Sequence, residues 1–246
     1  MKLGILTAVW KRPELTALVL NYYRQLKVKG IEFEFMAVVS SMDDWTMAKN
    51  LGWDAMIWGN NPLGKKFNIG LKQFEKTDVD AVVIIGSDNL INKEYFTQVK
   101  NAFKRGSDYV TLRDLYIYDA LKKRLVYVSP AFPGAGRCVG REVLEEVDWR
   151  LWKNEANYLL DSTVQKRLAH IEHRPHNIRD IIDKGIVLLD IKTDVNMWTL
   201  EGDRLVSSHT ELHFKDVDEI PPEPFIEKYF PEEAFVLLNW NDKFNG

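Results

Sequence analysis

Residues 3–9 (Leu-Gly-Ile-Leu-Thr-Ala-Val) and 81–85 (Ala-Val-Val-Ile-Ile) are nearly continuous apolar runs, the pattern of strands buried on both faces. Such strands need a covering layer on each side, so the intervening segments must supply helices. Pro13 opens one at its first turn. Leu15, Leu18, Val19, Tyr22, Tyr23 and Leu26 then recur at three- and four-residue steps and make one apolar face. Residues 33–39 and 55–58 predict two more strands, and residues 65–74 a helix with Phe67, Leu71 and Phe74 on one side. Residues 93–103 predict another, with Tyr95, Val99 and Phe103 facing inward. This β-α-β-β-α-β-α order calls for an α/β fold, a mostly parallel sheet flanked by helices.

The second half is less regular. Residues 109–112, 115–118 and 125–128 predict short strands, the last two paired around a turn. A loop at 131–136 precedes a short helix at 141–147, and Asp161 stands where a helix N-cap would. Residues 186–191 form another apolar strand. Pro221, Pro222, Pro224 and Pro231 break up a C-terminal segment expected to wrap the outside. No repeat and no flexible linker separates the halves, so residues 1–246 read as a single domain.

Several function classes are excluded. Lys and Arg number 33 against 36 Asp and Glu, and a net charge of −3 creates no field toward nucleic acid or membrane. The one cysteine, Cys138, rules out an internal disulfide and any cysteine-rich zinc site, and reads as a buried structural thiol. No run approaches the roughly 18–20 apolar residues of a membrane span, and the N-terminus is no secretory signal. The expectation is a soluble cytoplasmic protein. Neither a Gly-x-Gly-x-x-Gly turn after the first strand nor a phosphate-binding Gly-x-x-x-x-Gly-Lys-Ser/Thr loop is present.

In open α/β sheets ligands bind beyond the carboxyl ends of the strands. Thr7, Trp10, Arg12 and Pro13 follow the first strand; Ser40, Ser41, Met42, Asp43 and Asp44 the second; and Ser87, Asp88 and Asn89 the run at 81–85. Singly, such clusters are turn formers and helix caps. Converging on one edge, they offer a ring for a base, a carboxylate for base or ribose, and groups for a metal-held diphosphate.

The ordered pieces Thr7-Ala8-Val9-Trp10-Lys11-Arg12-Pro13, Ser40-Ser41-Met42-Asp43-Asp44, Lys65-Lys66-Phe67-Asn68-Ile69-Gly70 and Gly86-Ser87-Asp88 resemble GT-A-type nucleotide-sugar glycosyltransferases, nearest to glycosyltransferase family 2. The resemblance covers residues 3–105 well and 130–170 loosely. It implies a GT-A-like fold: a Rossmann-like donor half at about 1–106, a mixed acceptor half at about 107–215 and a wrapping segment at about 216–246. It also implies sugar transfer from a nucleotide diphosphate, a UDP-sugar foremost, to a hydroxyl acceptor by an inverting, metal-dependent route. The acceptor could be a saccharide, a protein or a hydroxylated base in phage-type DNA; no membrane partner is implied.

By the same resemblance Thr7, Trp10, Arg12, Asp43, Asp44, Lys66, Asn68, Ser87 and Gly136 bind donor. Asp88 and His209 hold Mn²⁺ or Mg²⁺, and Asp161 is the general base, with Glu155 in reserve. Gly86 departs from the family's Asp-x-Asp, where the first acid contacts the ribose. A nucleotidyltransferase on a related scaffold and an inactive nucleotide-sugar binder are the alternatives. The basic stretch 166–176 is either a solvated helix face or a phosphate-facing patch, and Trp149 and Trp152 are either core or stacking platforms.

Overall fold

A computed structural model of the chain describes residues 1–195, 199–202, 204–206, 211–213 and 216–240. The expected parallel sheet is its centre. Strands β1 (Lys2–Ala8), β2 (Glu32–Val39), β3 (Asp54–Ile57) and β4 (Ala81–Gly86) run parallel in the order β4-β1-β2-β3. Because side chains alternate along a strand, each strand feeds two cores. Leu3 and Ile5 of β1 with Val83 and Ile85 of β4 join helices α1 (Pro13–Gln25) and α4 (Lys93–Lys104) through Leu15, Val19, Tyr23, Tyr95, Phe96 and Val99. Leu6, Val82 and Ile84 meet Leu71 of α3 (Leu63–Gln73) on the opposite face, together with Trp149, Trp152 and Val164. Both tryptophans are therefore core.

Two elements of the first half go beyond the expectation. The acidic segment after β2 is itself a helix, α2 (Met42–Asn50), capped by Ser41. Three residues of β5 (Asn89–Ile91) leave the turn after β4 and enter a second sheet.

The second half extends the parallel sheet and adds two others. β6 (Tyr109–Leu112), β9 (Arg137–Gly140) and β10 (Pro175–Ile178) complete the order β10-β6-β9-β4-β1-β2-β3, with β9 antiparallel to β4 and to β6. The loop expected at 131–136 thus runs straight into a strand beside β4. The hairpin of β7 (Leu115–Asp119) and β8 (Arg124–Ser129) forms as expected. It pairs with β11 (Leu188–Lys192), which is parallel to β7 and antiparallel to β5. A small antiparallel sheet holds β12 (Thr199–Glu201), β13 (Arg204–Val206) and β14 (Glu211–His213), and β15 (Asp216–Ile220) pairs with β8. Helices α5 (Arg141–Glu146) and α6 (Leu160–Leu168) lie between β9 and β10.

Two readings of the chain are corrected. Asp161 is not an N-cap: the left-handed residue Leu159 starts α6, and Asp161 lies inside its first turn. The C-terminal prolines initiate helices instead of breaking them, because a fixed φ and a missing N–H suit the first helical position. Pro222 begins α7 (Pro222–Tyr229) and Pro231 begins α8 (Pro231–Leu238). Their Ile226, Phe230, Ala234 and Leu237 are buried in the main core, with the Phe230 ring 5.6 Å from that of Tyr22.

The packing of α3 depends on Gly70. A Cβ there would lie 2.4 Å from Val38 Cγ2 and 2.7 Å from Leu6 Cδ1, both on buried strands. Gly70→Ala gains about 1 kcal/mol of helix propensity but overpacks two branched side chains at a cost of about 1–3 kcal/mol. We expect a lower urea midpoint for it, and no loss for Gly59→Ala, where an added Cβ meets nothing within 4 Å among the described residues. Equal stability of the two variants would show that the helix rides free of the sheet.

Candidate active site at the strand ends

The turn after β1 positions the first functional group. Lys11 and Arg12 both adopt left-handed backbone with φ 57°, a conformation costing roughly 1–2 kcal/mol for a residue with a Cβ. The double turn throws Arg12 back over the carboxyl ends of the strands and leaves Pro13 to start α1. Arg12 Nη1 donates to Asp88 Oδ2 at 2.8 Å and Nη2 to Ser87 Oγ at 3.1 Å. Asp88 does not cap α4, whose N-cap is Asn92.

Across from Asp88 comes a pair that sequence reasoning passed over. Asp190 stands opposite Asn89 in the β11–β5 register and accepts from Asn89 Nδ2 at 3.2 Å. Lys192 Nζ lies 2.7 Å from Asp190 Oδ2, and the backbone N–H of Ile191 donates to the Asp88 carbonyl at 2.9 Å. Asp190 and Lys192 were legible as two charged residues spaced by two at the end of an apolar strand, hence on one face. The result is a part-buried cluster of two carboxylates and two cations. Burial raises the Asp88 carboxyl, but the Arg12 guanidinium and Lys192 ammonium outweigh it and hold Asp88 below the usual carboxylate range. Burial, aided by the neighbouring Asp88 charge, lifts Asp190 above it despite Lys192.

Gly86 follows from this crowding. A Cβ on it would lie 2.4 Å from both Asn89 Oδ1 and Asp88 Oδ1, and its N–H donates to Asn89 Oδ1 at 2.8 Å. The space that an acid at position 86 would need is filled by the two residues following it in the turn and strand.

A second group sits beside the carboxyl end of β4. Arg137, opposite Ile84 in the β4–β9 register, is only 3% exposed; its Nε donates to the Tyr109 hydroxyl at 3.0 Å and its Nη1 lies 3.0 Å from Asp161 Oδ1. The Asp161 side chain is 44% exposed, and a Cβ on Gly134 would come within 2.5 Å of its carboxylate. A small residue at 134 keeps that carboxylate in place. Gly136 has φ +74° and no room for a side chain against Leu112; its N–H donates to the Ile84 carbonyl at 2.8 Å.

The remaining expected residues take other places. Trp10 is 46% exposed with Lys11 Nζ 4.5 Å from its ring centroid. Asp43 is exposed in the first turn of α2, while Asp44 is buried and exchanges hydrogen bonds with the Ser41 cap: the Ser41 hydroxyl donates at 2.8 Å and the Asp44 N–H returns one at 3.1 Å. The Thr7 hydroxyl is buried in β1 without a hydrogen-bond partner among the described residues. Lys66 is fully buried, and its ammonium donates to the Val9 carbonyl, to Ser40 Oγ at 2.7 Å and to Asn60 Oδ1 at 3.1 Å. It therefore stitches the segments after β1, β2 and β3 from beneath. Asn68 clamps the Trp152 backbone in both directions, donating to its carbonyl at 2.7 Å and accepting from its N–H at 3.1 Å. Glu155 is exposed, Cys138 is buried in β9 with its thiol raised by burial, and His209 lies outside the described residues.

A hard cation takes six or more oxygen ligands, foremost carboxylates with free oxygens. Here one oxygen of Asp88 is held by Arg12 and both of Asp190 by Asn89 and Lys192. Among the described residues no three His, Cys, Asp or Glu side chains come together. With Asp88 and Asp190 already engaged by Arg12, Asn89 and Lys192, the described residues do not form a divalent centre of their own.

No family model and no curated protein sequence matches the chain. Solved structures similar to it include A197 from STIV, at 12% identity and TM-score 0.46, covering 88% of this chain and 95% of that one. CMP:2-keto-3-deoxy-manno-octonic acid synthetase complexed with CTP shares 15% identity at TM-score 0.46, over 73% of this chain and 90% of that one. TarS 1-349 of S. aureus in complex with UDP shares 16% at TM-score 0.48, over 79% of this chain and 59% of that one, so the likeness spans less than two thirds of its length. At such identities and scores these likenesses carry nothing about this chain's chemistry.

The buried ammonium of Lys66 yields a stability prediction. Burial lowers its pKa to about 8 from an ordinary 10.5, against a smaller opposing pull from Asp44. Between those values the unfolded chain holds a proton that the folded chain has released, so stability from this group rises with pH. Comparing urea midpoints at pH 7.5 and pH 10, the wild type should gain relative to Lys66→Met. An unchanged difference would mean that the ammonium is solvated.

Proposed function

We propose that this chain transfers a sugar from a nucleotide-diphosphate donor, a UDP-sugar foremost, to a hydroxyl acceptor with inversion. The observation that supports this is the gathering of Arg12, Ser87, Asp88, Asp190 and Lys192 where β1, β4 and β11 end, with the accessible Asp161 carboxylate at the same edge of the sheet. The two groups match the two tasks of the reaction, charge compensation at a leaving diphosphate and removal of an acceptor proton.

In this reading the diphosphate lies against the Arg12–Lys192 cluster. The Trp10 ring and the exposed start of α2, with Asp43, offer surfaces to the nucleoside. Asp161 accepts the proton of the acceptor hydroxyl as that oxygen bonds to the anomeric carbon. The bond from this carbon to the phosphate oxygen breaks at the same time, and its electron pair leaves with the diphosphate. Arg137 orients the base through Nη1, and Tyr109 fixes Arg137 in turn. Lys66, Asn68 and Asp44 serve from below, holding the strand ends at which these groups stand.

The test is a thermal-shift panel of nucleotide sugars followed by turnover of whichever binds, since a ligand of the native state raises the midpoint. Asp161→Asn should keep donor binding and lose about 10²–10⁴-fold in transfer rate, the usual worth of a positioned base. If no nucleotide sugar shifts the midpoint, the donor site is refuted. If Asp161→Asn turns over at the wild-type rate, the base is elsewhere; donor binding with no turnover in the wild type would identify a binder.

A further inference from the structure

Resting on that donor site, we infer that the chain binds its nucleotide diphosphate without a divalent cation, Arg12 and Lys192 taking the ion's place. A centre of two carboxylates and a divalent ion is neutral, and so is Asp88 and Asp190 with one guanidinium and one ammonium. The protein's own side chains already supply the two positive charges, at 2.8 Å from Asp88 and 2.7 Å from Asp190. A further +2 charge entering the cluster would have to displace both cations from a part-buried site, where each loses more Coulomb energy than it would in water.

Local geometry agrees. Gly86 leaves no second acid in the turn after β4, and the space is taken by the side chains of Asp88 and Asn89, which face Arg12 and Asp190. The strained double left-handed turn at Lys11 and Arg12 delivers the guanidinium to the spot where it meets Asp88 and Ser87. Arginine suits this work, because its planar fork can hold a carboxylate in the free protein and a phosphate in the complex. Lys192, on the last turn of the pleat in β11, completes the pair from the second sheet.

Titration calorimetry of UDP into the full chain decides the matter. In EDTA, UDP should bind, and adding Mn²⁺ or Mg²⁺ should change its Kd by no more than about threefold. The paired variant Asp190→Asn with Lys192→Met keeps the cluster neutral, and should weaken UDP at least tenfold while leaving uridine, which carries no phosphate, within about twofold. Asp88→Asn separates the two chemistries most sharply: a carboxylate that holds a metal would be lost with the binding, whereas one that merely neutralises Arg12 should, on removal, leave UDP bound more tightly. Binding seen only with the metal, or lost in Asp88→Asn, overturns the inference and leaves the glycosyl-transfer proposal standing. No binding of UDP, or of any other nucleoside diphosphate put in its place, under either condition overturns both.

Discussion

A parallel sheet covered on both faces has no lateral surface on which to place polar chemistry, and this constraint organises the molecule. Leu3, Ile5, Leu6, Val82, Val83, Ile84 and Ile85 are all spent on the two cores, so charged groups gather where β1, β2 and β4 stop. There they need partners, because part-buried ions without them are expensive. The chain answers with two levels. A fully buried ammonium, Lys66, ties the loop carbonyl and side-chain acceptors together below, and an interlocked set of opposite charges lies above.

The parallel core was legible because unbroken apolar runs and a 3.6-residue period are strong, local signals. Arg12 and Asp88 stood out because each comes three residues after the end of such a run. What escaped notice was set by pairing at long range. Asp190 falls inside the apolar run read at 186–191 and Lys192 just beyond it, and only the register against β5 brings them to Asp88. Arg137 follows the loop read at 131–136, and its place is set by its strand partner Ile84. The acids at 43 and 44 read as a ligand cluster, but one of them is absorbed in the reciprocal cap that starts α2. That ambiguity is intrinsic, since Ser and Asp after a strand serve a cap and a ligand equally well.

The motif at 65–70 illustrates how a functional-looking pattern can be structural in detail. Each of its three distinctive residues does one mechanical job: Lys66 gathers loop acceptors, Asn68 grips a backbone, and Gly70 lets a helix approach two strands. None of the three needs to touch a ligand for the pattern to matter, because together they set where the groups above them stand.

The grip of Asn68 on Trp152 has a wider meaning. It takes both hydrogen-bonding groups of one residue, 84 positions away, and it is seconded by Gly64, whose N–H donates to the Ala156 carbonyl at 2.8 Å and where a Cβ would strike the Lys153 carbonyl. The helix below the strand ends and the segment leading to α6 are thus riveted into one chassis. Asp161, in the first turn of the helix that follows this segment, thus stands on a stretch of chain anchored to α3.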